Sequence, residues 1–345
     1  MKSGLVFWGA LSFAWNLGFS RLSYGLVLPT LRHDFSGSYA SFGMVNSSNL
    51  IGYFLGMLAA PALLKKFGRP IELSAAATCI LVVTFAASAA SRTLNEIALL
   101  RFILGFASAI ASILVISITM ARTHESRRGL AAGLLWAGLG LGVAICGLAA
   151  PVVAGAHPQV SWRELWLLMA SVGPAILVGF TYHAARAAKV AVLPRHPNAA
   201  SGDTDAHATA IVLGATFFAF GAGYIIYFTF VSALSIEYGF HPASVGLLWG
   251  ICGFAGVFGG LFAGRAMDYP IAFVVLPIVL GLGALGALLS SIHAVVAVII
   301  GAAMMGSRSL AHPRRSAPCS IAFRARLNIR ECSVMSQRRS RWASF

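Results

Sequence analysis

Apolar residues run along this chain in blocks of about 20, cut by short polar connections, at 5–29, 42–64, 71–90, 96–120, 129–151, 162–182, 208–234, 243–263, 270–290 and 293–306. A block of that length crosses a hydrocarbon layer of about 30 Å as a helix. The pattern predicts an all-α, polytopic membrane protein with ten spans, the last of them short. The first apolar run begins directly after Met1-Lys2-Ser3 and continues past Pro29, too long for the apolar core of a signal peptide. It reads as the first span. Composition agrees: 58% of the 345 residues are hydrophobic and 10% charged, against about 25% charged in soluble domains. Mean hydropathy is +0.82. Soluble enzyme folds and disordered chains are excluded.

The net charge of +15 is unevenly spread. Residues 307–345 hold nine arginines against Glu331. In the rest, Lys2, Lys65, Lys66, Arg69, Arg122, Arg127, Arg128, Arg186, Lys189, Arg195 and Arg265 fall on one side of the predicted membrane, and Arg32, Arg92 and Arg163 on the other. Basic residues resist translocation, so the N-terminus is expected in the cytoplasm. No folded basic face suits a nucleic acid. The five cysteines (Cys79, Cys146, Cys252, Cys319, Cys332) have no metal-ligand spacing, and no metal or cofactor is expected.

The chain is expected to divide into a six-helix bundle (1–182), a polar, Pro-bearing cytoplasmic linker (183–207), an incomplete four-helix bundle (208–306) and a basic tail (307–345). Sliding the chain against itself by 203 residues pairs Gly18 with Gly221, Tyr24 with Tyr227, Asp34 with Glu237, and Ala40, Ser41 and Gly43 with Ala243, Ser244 and Gly246. Two parallel repeats joined by a cytoplasmic linker form a transporter architecture with substrate at the repeat interface. The repeat breaks near Gly306, inside the helix that should match span 4. Residues 307–345 are therefore read as out of frame or disordered, with a native basic tail as the alternative.

The loop after span 2, Pro61-Ala-Leu-Leu-Lys65-Lys66-Phe67-Gly68-Arg69-Pro70, resembles the G-x-L-A-D-R-x-G-R-R signature of the major facilitator superfamily (MFS). Lys66, Gly68 and Arg69 match; Pro61 and Lys65 depart. Gly264-Arg-Ala-Met-Asp268 keeps the G-x-x-x-D part, and Arg101-Phe-Ile-Leu-Gly105 is similar to the family's R-x-x-x-G. Arg21-Leu-Ser-Tyr24, Asn49-Leu-Ile-Gly52-Tyr53 and Gly223-Tyr224-Ile-Ile-Tyr227 resemble the YbfB/YjiJ-like bacterial branch. The resemblance covers about residues 5–306. It implies twelve spans in two bundles, of which about ten are present, a bacterial inner-membrane location and secondary transport.

Candidate transport residues follow. Arg21 lies eight residues before Pro29, about 12 Å from that end at 1.5 Å per residue, where a charge must face protein or water. It is read as an anion-binding or proton-relay group in a central cavity, or as a packing arginine bonded to a carbonyl. Arg101, about one turn inside span 4, is given a role in proton transfer or substrate contact by the resemblance; the alternative is snorkelling. Asn46, Asn49 and Tyr53 share one face of span 2, lining a cavity or bonding between helices. Tyr24, Tyr224 and Tyr227 place hydroxyls in spans 1 and 7. Lys66, Gly68, Arg69 and Asp268 read as gate and orientation residues.

No acid lies mid-span. Arginine without acid favours an anionic or neutral polar solute over a cation. The leading function is a secondary transporter working by alternating access, with a proton as coupling ion, acting as a monomer in the lipid bilayer. The alternatives are a non-functional fragment of such a transporter, a membrane-embedded enzyme or a sensor. The histidines cluster at no common depth, so an enzyme is not expected.

Overall fold

The computed structural model describes residues 3–156, 162–187 and 228–266, and every described element is helical. The first span is one long helix in three parts: α1 (Ser3–Phe13), a π-helical segment (Ala14–Leu22) and α2 (Ser23–Asp34). Then come α3 (Tyr39–Phe67), α4 (Pro70–Ala89), α5 (Leu94–Ala121), α6 (Arg128–Ala156) and α7 (Trp162–Arg186). After the linker, α8 covers Phe228–Glu237 and α9 covers Pro242–Ala266. Among the described residues, six helices are long and apolar enough to cross a membrane. The expected blocks 42–64 and 96–120 thus become helices a few residues longer at each end. One boundary is corrected: helix continues through Pro29 to Asp34, so Arg21 sits 13 residues from that end, about 20 Å at the helical rise. The blocks 270–290 and 293–306, the linker and the tail lie outside the described residues.

The connections carry the stop and start chemistry. Ser38 caps α3, its Oγ accepting from the Ser41 amide at 3.3 Å. Gly68 ends α3 in the left-handed region (φ 65°), its N–H donating to Leu64 O at 2.9 Å. Pro70 then occupies the first turn of α4, where its missing N–H costs nothing. Thr93 caps α5 by accepting from the Glu96 amide at 3.2 Å, while the Glu96 carboxylate accepts from the Arg92 amide at 2.7 Å. The connections 35–38, 90–93 and 238–241 lie at one end of the bundle, here the first end. Those at 68–69 and 122–127 lie at the second end.

Packing is by close backbone approach. A Cβ built at Gly52 or Gly56 would lie 2.1 or 2.4 Å from a carbonyl oxygen of α5. One at Gly138 or Gly142 would lie 2.0 or 2.4 Å from an oxygen of the first span. Gly133 and Gly140 of α6 meet Gly260 and Gly253 of α9 in the same way. Small residues are what allow helices to associate where lipid removes the hydrophobic drive. The α6/α9 seam therefore joins the first six spans to the second half. There, α8 ends at Glu237 and α9 starts at Pro242, the positions to which the 203-residue offset carries Asp34 and Tyr39.

Candidate functional site

Arg101 is the centre of the polar interior. It sits seven residues inside α5, two turns from Leu94 rather than one, and is 1% exposed. That burial excludes snorkelling. Its Nη1 donates to the Ser20 carbonyl of the π segment at 2.7 Å, and its Nη2 to Asn46 Oδ1 on α3 at 3.2 Å. Its guanidinium carbon lies 4.8 Å from the centre of the Tyr24 ring on α2, within reach of a cation–π attraction. The Tyr24 hydroxyl is turned away, donating to Phe42 O at 2.9 Å. Asn49 donates to the Arg101 carbonyl at 2.8 Å. Asn46 passes the chain on: its Nδ2 donates to Thr229 Oγ1 on α8 at 2.6 Å. One guanidinium thus ties the first span, α3 and α5 directly, and α8 through an amide.

Among the described residues its partners are all neutral. Among the described residues the ion pairs are Arg32–Glu237, His33–Asp34, Arg69–Glu72 and Arg128–Glu125, all at helix ends. Arg101 Nε and Asn49 Oδ1 are buried with no hydrogen-bond partner among the described residues. A buried cation held only by dipoles is costly unless a counter-charge joins it. The arrangement can therefore take an anionic group, with the fork geometry that suits a carboxylate.

A second cluster closes the first end. The Arg32 guanidinium of α2 stacks on the Tyr39 ring of α3 at 3.7 Å and pairs with Glu237 of α8 at 3.6 Å. The Tyr39 hydroxyl donates to Glu237. Below it the Tyr39 and Phe230 rings meet edge-on at 6.2 Å, and Gly25 lies against the Phe228 carbonyl. The sequence reading had none of Arg32, Tyr39, Glu237 or Thr229 among its site residues. The offset pairing of Asp34 with Glu237 was a signal pointing to this end.

The profile of the family described as "Uncharacterised MFS-type transporter YbfB" matches residues 13–335. The chain belongs to this family. As an MFS transporter it is similar over 151 residues, at 30% identity, to the 4-hydroxybenzoate transporter PcaK of Pseudomonas aeruginosa. The match takes 44% of this chain and spans about a third of that relative's length, 33%. In fold it is similar to a bacterial homolog of the human lysosomal transporter Spinster, solved inward-facing and unoccupied (TM-score 0.63, 15% identity, 90% of this chain and 74% of that one). It is also similar to a D-xylose-proton symporter (TM-score 0.60, 15% identity, 88% and 79%). The chain is a multi-pass membrane protein of the two-bundle MFS fold, and its family is one of transporters, not of enzymes.

The other expected site residues fall as follows. Tyr53 is half-buried on α3, one turn from Asn49. At the second end Gly68 forms the α3 cap, Lys66 is exposed, and exposed Arg69 pairs with Glu72 at 3.4 Å. The Arg21 backbone belongs to the π segment next to Ser20; its side chain lies outside the described residues, as do Tyr224, Tyr227 and Asp268.

Proposed function

We propose that this transporter is a secondary active carrier for a small anionic or neutral polar solute, moved by alternating access and coupled to a proton. Its N-terminus lies in the cytoplasm, so the first end faces outward from the cell inner membrane. It works as a monomer. The observation that supports the reading most is the Arg101 guanidinium, buried at the junction of the first span, α3, α5 and α8 with only neutral partners among the described residues. An anionic group arriving there would supply the missing counter-charge. The Asn46–Thr229 bond would relay that change to the second half.

The Arg32–Tyr39–Glu237 cluster is then the outer latch. It must break for the first end to open, while the glycine seam of α6 and α9 lets the halves rock in contact. The similar protein of Pseudomonas aeruginosa, a 4-hydroxybenzoate transporter, is consistent with an organic carboxylate, and one fold neighbour, a D-xylose-proton symporter, with proton coupling. The test is uptake of radiolabelled carboxylates, 4-hydroxybenzoate among them, and of neutral sugars into proteoliposomes holding the full chain. Saturable uptake of an anion or neutral solute, lowered about tenfold or more in Arg101→Gln at equal protein level, supports the assignment. Uptake that is indifferent to Arg101→Gln, or confined to cations, rejects it.

A further inference from the structure

One face of α5 is polar along most of its length. Arg101, Ser108, Ser112 and Thr119 follow one another by seven, four and seven residues. At 3.6 residues per turn these steps hold them within about 20° of a common line. Their exposures are 1%, 0%, 3% and 0%. Both ends of the line are pinned against the first span. Arg101 donates to Ser20 O at 2.7 Å, and a Cβ built at Gly9 would lie 3.2 Å from Thr119 Oγ1. The first-span residues between those anchors include the start of the π segment and Asn16, which is 0% exposed.

Asn16 is the unexpected residue. Neither its Nδ2 nor its Oδ1 has a hydrogen-bond partner among the described residues. The same holds for Ser112 Oγ, Thr119 Oγ1 and Arg101 Nε. Buried polar atoms are satisfied in the great majority of cases, so five unmet atoms along one seam call for an occupant. Arg101 Nε and Asn16 Nδ2 can only donate, Asn16 Oδ1 can only accept, and the two hydroxyls can do either. An anion cannot serve Oδ1, and a cation is repelled by the guanidinium that Ser20, one turn along the first span from Asn16, holds at 2.7 Å. Water, as donor and acceptor, serves them all, and buried water takes about three such bonds. The π segment adds local irregularity of the kind that recurs at functional sites. The Ser20 hydroxyl, already bonded to the Asn16 carbonyl, and Ser108, bonded to Gly105 O at 3.0 Å, leave the unmet atoms in place.

We infer that the seam between the first span and α5 binds a file of ordered water that runs from Thr119, toward the second end, past Asn16 to the Arg101 guanidinium. This deepens the proposed transport reading: it gives the anion site an aqueous approach on the side away from the latch. The site stands or falls apart from that reading, because it is read without any solute.

The test is an experimental map of the full chain in lipid nanodiscs, at a resolution that shows water, beside the same map of Asn16→Leu/Ser112→Ala. The expected result is water density within 3.5 Å of the Asn16 amide and of Ser112 or Thr119 in the native chain. That density is gone in the variant, with the Arg101–Ser20 contact kept. Ser112→Ala alone, which removes the least, serves if the double variant does not fold, and should lose the water nearest residue 112. The inference is overturned if the native Asn16 amide bonds directly to protein groups with no water between. It is equally overturned if the seam holds an elongated, non-aqueous density.

Discussion

α5 presents two faces about a quarter-turn apart, and they are built on opposite terms. Toward α3, a Cβ at Gly105 would lie 2.0 Å from Asn49 O, and one at Gly52 2.1 Å from Phe102 O. No methyl group fits between the backbones. Toward the first span, the same helix shows Arg101, Ser112 and Thr119, with three polar atoms left without partners among the described residues. The first face is packed backbone against backbone, with Asn49 Oδ1 its one unmet atom among the described residues, and the second carries three. Close packing fixes where the guanidinium sits, and only the loose face is free to bind and release. The lesson is that one transmembrane helix assigns stability and chemistry to different sides.

The comparison can be broken most severely at the tight face. Gly105→Val should prevent accumulation of folded protein, and Gly105→Ala should lower stability by about 1–3 kcal/mol. Gly43→Ala is the contrast. Its Cβ would meet only the Phe230 ring, at 3.4 Å, and in a helix it should be neutral or stabilising by up to about 1 kcal/mol. Thermal unfolding in detergent, followed with a thiol-reactive dye, ranks the three.

The polar face should answer in activity. Arg101→Gln is expected to lower anion uptake about 10- to 100-fold, the worth of a charge-assisted hydrogen bond. Its stability should hold or rise, because an underpaired buried charge is removed. Uptake and unfolding measured on one preparation separate the two effects.

Smaller again is the latch. Exposed ion pairs contribute about 0.2–1 kcal/mol, so Glu237→Gln should favour the open first end by no more than about fivefold. The readout is maleimide labelling, from outside, of a cysteine placed at Gly43, with the native cysteines replaced. Smallest is Ser112→Ala, expected to change stability by less than about 0.5 kcal/mol. A large loss there would mean the hydroxyl is well paired, against the geometry of the seam.

Much of the helical framework was legible because apolar length and terminal chemistry are local. Ser38, Gly68, Pro70 and Thr93 mark their boundaries within a few residues. Pro29 misled, since a proline inside a lipid-embedded helix can be carried by its neighbours. Asn46, Asn49 and Arg101 could be named from the sequence, since polar side chains in apolar blocks need partners. Which partners they take could not be read, because Ser20, Tyr24 and Thr229 lie 81, 77 and 128 residues from Arg101 in the chain. Asn16 was hidden for a different reason: one amide in an apolar block reads as an interhelical bond, and the π segment that isolates it has no signature in residue type. The latch required knowing that the first end of α8 meets that of α2 and α3.

The proposed function centres on Arg101 as the positive group that receives a solute's anionic or polar end. The most direct measurement is ligand-induced thermal stabilisation of the purified full chain by a panel of carboxylates and neutral polar solutes, run in parallel on Arg101→Gln. At least one solute should raise the unfolding temperature of the native chain and leave the variant unmoved at equal folded content, as that role for Arg101 requires. A solute that stabilises both to the same extent would contradict it.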